Sequence, residues 1–274
     1  MTQRHSAVVL RVGLLALLTG GFMLPLFWAF LTSLKHRKDI FVYPPLFVFE
    51  PSLDNYRTVL LQSEYLRFMA NSIAASFTSA LLSVVVGVLG AYAFSRFRVR
   101  GSRGILMWIL SLRMIPPMAV IVPFYLMATR LGFYDTRLGL ALVLTTVNLP
   151  IVVWLLLGYL RDIPIEVEEA ALVDGCSRLR VLTQVTLPLA APGIVATLIL
   201  SVVLAWNEFP LSLVLTSQNA VTLPVSMLSW DTQRGLLWGQ LMASSMMAIA
   251  PVVVFTAFVQ RYLVRGLTLG AIVE

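Results

Sequence analysis

The chain has little of what a water-soluble enzyme needs. Of its 274 residues only 12% are charged and 59% are hydrophobic, whereas an ordinary soluble domain is about a quarter charged and under half apolar. It has one cysteine and two histidines, which excludes an intramolecular disulfide and a zinc site built from these residues. With a mean hydropathy of +0.88, the sequence predicts an integral membrane protein.

Six apolar runs are long enough to cross a bilayer core of about 30 Å, since an α-helix rises about 1.5 Å per residue. Arg113 and the pair Pro116-Pro117 interrupt the third run. We therefore predict an all-α membrane protein with one transmembrane domain over residues 1–274, whose first helix is retained as a signal anchor. The expected spans are residues 10–32, 68–95, 104–129, 138–160, 189–215 and 236–260.

The basic residues between the apolar runs indicate membrane sidedness. Eighteen of the 20 cations are arginine, and Arg96, Arg98, Arg100 and Arg103 lie together between the second and third runs with no acid among them. By the positive-inside rule this loop is cytoplasmic, and six spans then place both termini on the cytoplasmic side. The net charge of +7 therefore indicates topology and not nucleic-acid binding.

The cytoplasmic loop of residues 161–188 has a helical pattern of its own. Asp162 is expected to cap a short helix that has a proline and three glutamates in its first turns. Gly175 is expected to end this helix in a left-handed conformation, and Ser177 to cap a second one. Two helices joined by a glycine turn form a lever that can transmit force. The alternative is an amphipathic helix lying on the membrane surface.

The spacing within this loop resembles a known motif. Glu169, Ala170 and Ala171 are followed after three residues by Gly175, and nine residues later by a segment that ends in Leu187-Pro188. This pattern resembles the EAA loop of binding-protein-dependent ABC importer permeases. Further segments resemble the carbohydrate-uptake, maltose-type branch of these inner-membrane permeases, so the likeness covers nearly the whole chain. They are residues 52–57, 71–72, 91–97, 131–136, 205–209 and 266–271.

The resemblance implies the type I ABC importer permease fold, with the loop as a coupling helix that docks on cytoplasmic ATPases. The residues it assigns to coupling are Glu168, Glu169, Ala170, Ala171, Asp174, Gly175, Leu187 and Pro188. The implied partners are two copies of an ATP-binding subunit, a second homologous permease, and an extracytoplasmic substrate-binding protein that docks near residues 215–235. The tail, residues 270–274, departs from the family's usual basic ending, which weakens the expectation that it contacts the ATPases.

The chain itself is expected not to be an enzyme. It has no Gly-x-x-x-x-Gly-Lys-Ser/Thr phosphate loop and no constellation of catalytic side chains. The resemblance therefore implies that ATP and Mg²⁺ bind to the partner subunits, and that this chain holds no cofactor. The expected location is the bacterial plasma (inner) membrane.

Four residues within the spans are candidates for the substrate pathway: Arg113, Trp206, Asn207 and Glu208. An ionisable side chain at this depth should face the bundle interior or a water-filled path. A tryptophan, an amide and a carboxylate supply the aromatic face and the hydrogen-bonding groups that a sugar needs. The alternative is structural: Arg113 pairs with Glu208, Trp206 anchors the helix at the interface, and Asn207 bonds a neighbouring helix.

The resemblance implies a permease subunit that imports a carbohydrate or sugar-like solute by alternating access. A permease for a phosphorylated polyol or another solute is the nearest alternative. An Arg113 that faces the cavity favours an anionic group on the solute, whereas an Arg113 paired with Glu208 favours a neutral sugar. An ATPase-independent channel or carrier is the alternative from another class, although ion-coupled carriers usually have several intramembrane acids and internal repeats, which this chain lacks.

Overall fold

The computed structural model describes the backbone of residues 2–233 and 235–268, and the side chains of residues 11–233 and 235–257. The described part is mostly helical, with one two-stranded antiparallel hairpin. The helices are α1 Thr2–Ser33, α2 Arg37–Ile40, α3 Asp54–Gln62, α4 Tyr65–Arg96, α5 Ser102–Ser111, α6 Pro117–Arg130, α7 Arg137–Arg161, α8 Ile165–Val173, α9 Arg178–Val181, α10 Leu187–Trp206, α11 Pro210–Leu215, α12 Leu223–Ser226 and α13 Trp238–Thr268, and the strands are β1 Asp231–Thr232 and β2 Gly235–Leu236.

Among the described residues, five helices are long and apolar enough to cross a membrane, or six if one bent pair is a single span. The bent pair is α5, extended by a 3-10 turn over Leu112–Met114, and α6; the two meet at 93°. Ile115 and Pro116 between them have extended ψ angles of 122° and 133°. The helical region is sterically disfavoured for a residue that precedes a proline, and two such residues stand in a row here, so Pro116-Pro117 sets the bend in the expected third span.

The expected fifth span, residues 189–215, differs from the structure at both ends. Helix α9, a π turn over Leu182–Thr186, and α10 form one apolar stretch, Arg178–Trp206. The second helix expected in the loop of residues 161–188 is therefore the beginning of this apolar stretch. At the other end α10 stops at Trp206 and a separate helix, α11, begins at Pro210. Because proline has no N–H, it suits the first position of a helix and not its interior.

The described chain forms two compact units, one up to Leu66 together with Ser226–Pro251, and one of Arg67–Val225 together with the segment from Val252. In the first unit the amide of Asn55 donates to the carbonyl oxygens of Ser33 and Lys35, both at 2.9 Å. The ammonium of Lys35 is buried and lies 4.8 Å from the centre of the Trp28 ring, where a cation–π contact compensates its burial.

The core of the second unit lies between α4, α7 and α10. One cluster is formed by Val88 of α4, Val152 and Leu156 of α7, and Ala190 of α10, among others. A second cluster joins α6, the beginning of α7 and α11 around Leu140 and other residues. These packed faces fix the positions of the loop of residues 161–188 and of the α5–α6 bend.

Close packing of α4 on α7 requires glycine at one position and tolerates a larger residue three positions later. A Cβ added at Gly87 would lie 2.6 Å from Cγ1 of the fully buried Val152, whereas a Cβ at Gly90 would lie 3.8 Å from Cγ2 of Val153.

We expect Gly87→Ala to lower the free energy of unfolding by about 1–3 kcal/mol through overpacking. Gly90→Ala is the matched control and should change it little, as measured by thermal unfolding in detergent. Equal stability of the two variants would contradict this packing.

Candidate functional site

The loop of residues 161–188 folds into a short helix that ends on a glycine turn. Helix α8 begins after Pro164 and has no side-chain cap, so the predicted cap by Asp162 is wrong. The backbone N–H of Asp162 instead donates to the carbonyl of Gly158 at the end of α7. Gly175 has a φ of +86°, and Cys176 donates its N–H to the carbonyl of Ala171 at 3.0 Å. This left-handed, hydrogen-bonded ending confirms the predicted C-cap.

The predicted second cap is also present. The hydroxyl of Ser177 accepts a hydrogen bond from the backbone N–H of Arg180 at 3.4 Å, at the beginning of α9. The chain thus turns at Gly175 and immediately restarts as a helix that continues into the α10 span. The second half of the loop and α10 therefore belong to one helical stretch, Arg178–Trp206.

Helix α8 presents most of the expected coupling residues to its surroundings. Glu169, Ala170, Asp174 and Gly175 are exposed, and Ala171 is half-buried. Val173 at the end of the helix is 87% exposed. An exposed face that mixes small, apolar and acidic side chains is available to a protein partner. Leu187 and Pro188 lie instead at the beginning of α10, where Leu187 packs against the core.

Glu168 differs from its neighbours because it is buried, with only 4% of its surface exposed. Its Oε1 accepts hydrogen bonds from Nε of Arg96 at 2.9 Å and from the hydroxyl of Thr186 at 2.8 Å. Its Oε2 accepts from the hydroxyl of Tyr92 at 3.3 Å. Arg96 also donates from Nη2 to the carbonyl of Ile163 at 3.0 Å. We call Glu168, Arg96, Tyr92 and Thr186 the Glu168 network.

The Glu168 network joins three elements at one carboxylate. Tyr92 and Arg96 belong to α4, Glu168 to α8, and Thr186 to the π turn that leads into α10. Sequence reasoning grouped Glu168 with the exposed Glu169. The sequence does hold one sign of this network: Tyr92 and Arg96 are four residues apart and therefore lie on one face of α4. Their spacing does not show which acid they contact.

The α5–α6 bend opens a cavity of about 390 Å³, which we call the bend cavity. Arg113 and Glu208 line it together with apolar residues. Nη1 of Arg113 donates to the carbonyl of Val147 on α7 at 3.2 Å, and Oε1 of Glu208 accepts from the N–H of Leu211 at 3.2 Å. Among the described residues the ion pairs do not include one between Arg113 and Glu208.

The other two pathway candidates do not line the bend cavity. Trp206 is buried at the end of α10 with 7% of its surface exposed. Asn207 is exposed, and its amide donates to the carbonyl of Val203 at 2.8 Å. Of the four candidates for the substrate pathway, Arg113 and Glu208 therefore line the bend cavity, whereas Trp206 and Asn207 do not.

Asp135, in the connection between α6 and α7, organises a segment that is distant in sequence. Its carboxylate accepts hydrogen bonds from the backbone N–H groups of Ser217, Gln218, Asn219 and Ala220, at 2.9–3.2 Å. Burial alone would raise the pKa of this carboxyl, but the four N–H donors, Ser217 first, hold it well below its usual value.

Asn71 of α4 holds the backbone of residues 219–221. The amide of Asn71 donates to the carbonyls of Asn219 and Val221 at 3.0 and 2.8 Å, and its oxygen accepts from Nε of Arg137 at 2.7 Å. The backbone of residues 217–221 is therefore fixed by side chains from two other elements. The sequence likeness covered residues 71–72 and 131–136 but gave Asn71 and Asp135 no role.

In the part of the chain that the structure describes, there is no group of three or more His, Cys, Asp or Glu side chains that could hold a metal ion. The expectation about the tail, residues 270–274, falls outside the described residues.

Comparison with known proteins gives concordant results. Residues 83–269 match the model of a family described as binding-protein-dependent transport system inner membrane component. A probable ABC transporter permease protein of Sinorhizobium fredii is 35% identical over 251 residues, covering 92% of this chain and 90% of that protein. A trehalose/maltose transport system permease protein of Thermococcus litoralis is 32% identical over 254 residues, covering 91% of each.

A solved structure has the same fold. It is the crystal structure of a bacterial ABC transporter involved in the import of the acidic polysaccharide alginate. One of its chains aligns with a TM-score of 0.77 at 24% identity, covering 93% of this chain and 95% of that one. The predicted all-α importer-permease fold is confirmed.

The Glu168 network predicts strong coupling between Arg96 and Glu168. Replacing either residue with alanine leaves the other's charge buried without its counter-ion, and we expect each change to lower the free energy of unfolding by about 3–5 kcal/mol. The double variant Arg96→Ala/Glu168→Ala should cost clearly less than the sum of the two single changes. Glu166→Ala, at an exposed position of the same helix, is the control. Additive effects in a denaturation series would contradict the network.

Asp135 predicts an acid-dependent stability of residues 216–221. Because its folded pKa lies below the unfolded value of about 3.9, its stabilising contribution is complete above that value and is lost as the pH falls through the folded pKa. Asp135→Asn should remove this dependence and weaken the segment by about 1–3 kcal/mol at neutral pH. Hydrogen exchange across residues 216–221 measures both effects. Asp231→Asn, at an exposed position, should leave the exchange unchanged.

Proposed function

The chain belongs to the family of binding-protein-dependent transport system inner membrane components, and we propose that it imports a carbohydrate as the permease subunit of an ATP-driven transporter. It is a multi-pass membrane protein and an ABC transporter permease. The trehalose/maltose permease among its relatives supports a saccharide as the solute.

The observation that carries the coupling role is the burial of Glu168 beneath an exposed helix face. Glu169, Ala170 and Asp174 remain free to contact a partner, while Glu168 ties the same helix to α4 and to the beginning of α10. A partner that displaces α8 must therefore move these membrane helices or break a buried charged network. Through these hydrogen bonds, movement of a cytoplasmic ATPase reorients α4 and α10, as alternating access requires.

The family resemblance supports an energy source on other subunits. With no phosphate loop of its own, the chain relies on ATP and Mg²⁺ bound by two copies of an ATPase subunit. The four-arginine cluster at residues 96–103 and helix α8 lie on the cytoplasmic side, with both termini. A second permease completes the membrane pathway, and an external binding protein delivers the solute near residues 215–235, which Asp135 and Asn71 partly fix.

The direct test is isolation of the complex from its native membrane in mild detergent, with quantitative mass spectrometry of the companions. The proposal predicts an ATP-binding subunit at two copies beside one second permease, with the binding protein recovered when solute is present. A stable homo-oligomer without an ATPase, under conditions that preserve a known ABC importer, would contradict it.

Uncoupling variants test the role of α8. Glu169→Lys reverses a charge on the exposed face, and Gly175→Val places a β-branched residue at a φ of +86°, which such residues rarely adopt. We expect each to reduce uptake about ten-fold or more while membrane insertion is unchanged. The measurement pairs uptake with ATPase activity in membranes.

The matched control is Asp162→Lys, an acid-to-lysine change in the same loop but outside α8. It should leave uptake close to the wild-type value. Normal uptake by both α8 variants in an assembled complex would contradict the coupling role.

A further inference from the structure

We propose that the contact between Phe97 and Arg178 is a second attachment of the loop of residues 161–188 to α4, and that coupling needs it together with the Glu168 network. This inference rests on the proposed function and adds two positioning residues to it. Neither of them is among the coupling residues that the family likeness assigns.

One aromatic ring joins the end of α4 to the beginning of α9. Phe97 directly follows α4, and its backbone N–H donates to the carbonyl of Ala93 at 3.0 Å, which continues the helical pattern. Its ring meets Tyr92 of the Glu168 network edge to face, with 6.2 Å between the ring centres and 83° between the ring planes. The guanidinium carbon of Arg178, the first residue of α9, lies 5.3 Å from the centre of the Phe97 ring.

The ring of Phe97 is what holds the Arg178 side chain. Within the described part of the chain the guanidinium of Arg178 forms no ion pair and no hydrogen bond with another side chain. A guanidinium within about 6 Å of a ring centre is attracted by the negative face of the ring. Arg178 is exposed and Phe97 is 46% exposed, so this contact is weaker than the buried Glu168 network and can open more readily.

The two attachments lie on either side of an irregular turn. Between Arg178 and Thr186 the chain passes through the π turn Leu182–Thr186, and helices bend readily at such turns. The hydroxyl of Thr186 donates to Glu168 at 2.8 Å. Arg178 stands eight residues earlier, which is roughly 12 Å along a helix at 1.5 Å per residue.

A loop attached at one place can rotate about that place, whereas a loop attached at two places keeps its direction. The glycine turn does not replace the second attachment, because a Cβ added at Gly175 would meet no atom within 4 Å. The bond from Cys176 to Ala171 joins two residues of the same loop and leaves its direction relative to α4 open. With the Glu168 network alone, part of a push on α8 would be taken up by rotation of the loop and bending at the π turn.

The first measurement is hydrogen exchange of residues 180–186 in the complete transporter. Arg178→Gln and Phe97→Leu should each lower the protection of these amides about two- to five-fold, the change that corresponds to an exposed cation–π contact. The double variant should be no less protected than either single variant, because both changes remove the same contact. Arg178→Lys and Phe97→Trp keep a cation and a ring and should retain the wild-type protection.

Arg180→Gln is the matched control. Arg180 lies in the same short helix and is exposed, and within the described part of the chain its guanidinium faces no aromatic ring. The protection should therefore not change. An effect equal to that of Arg178→Gln would assign the result to the lost positive charge, as expected if these arginines bind lipid headgroups or an acidic partner surface, and would overturn the inference.

The second measurement follows the movement of α10. A nitroxide attached to Leu200→Cys, an exposed position within α10, reports that movement in a Cys176→Ser background with cysteine-free partner subunits. The complete transporter and its binding protein are compared before and after trapping with ATP and vanadate. The wild-type spectrum should change on trapping. Arg178→Gln should reduce the changed fraction about two- to five-fold at an unaltered amount of trapped nucleotide, and Arg178→Lys should restore it.

Two further results would overturn the inference while the proposed function stands. One is wild-type protection in both Arg178→Gln and Phe97→Leu. The other is lowered protection with an undiminished change at position 200, which would make the contact purely structural. If instead the wild-type complex hydrolyses no ATP, or its label at position 200 does not respond to trapping, the proposed coupling fails, and this inference with it.

Discussion

A carboxylate buried beneath an exposed helix is the constraint on which the rest of the structure depends. Removing an ion from water costs several kcal/mol unless its partners compensate, and Glu168 is compensated by Arg96, Tyr92 and Thr186 at once. Because these partners lie on α4 and on the π turn before α10, α8 cannot move independently of them without exposing a charge to an apolar core. The same residue therefore stabilises the loop and couples it to the membrane helices.

The same principle operates at the other irregular points of the chain. In a bilayer the backbone groups of a broken helix must find partners within the protein. Arg113 donates to α7 where α5 and α6 bend, and Asp135 receives the N–H groups of residues 217–220 where α11 has ended. Each break thus has a charged side chain that joins it to another element: Arg113 of the bend bonds α7, and Asp135 bonds the segment after α11. The breaks can therefore serve as a cavity and as a fixed surface segment.

Local signals in the sequence predicted the local structure. The apolar runs, the left-handed Gly175 and the Ser177 cap follow from the properties of a few neighbouring residues. Contacts between distant segments were not predictable in this way. Glu168 and Glu169 are adjacent and chemically identical, yet the packing of α8 against α4 and the π turn before α10 determines which is buried. The family likeness placed both in the coupling loop without separating these two roles.

The central claim, that α8 is the docking element for an ATPase, is tested most directly by site-specific cross-linking. The chain has a single cysteine, Cys176, so Cys176→Ser provides a background in which Ala170→Cys is the only thiol of this subunit. Our account predicts that a maleimide–benzophenone reagent, attached to the thiol at position 170, inserts on illumination into a C–H bond of the ATP-binding subunit and joins the two chains. The same reagent attached to Ser217→Cys, the control, should not join that subunit. A position 170 that is fully labelled by small maleimides in the assembled complex, with no cross-link to an ATPase, would contradict the account.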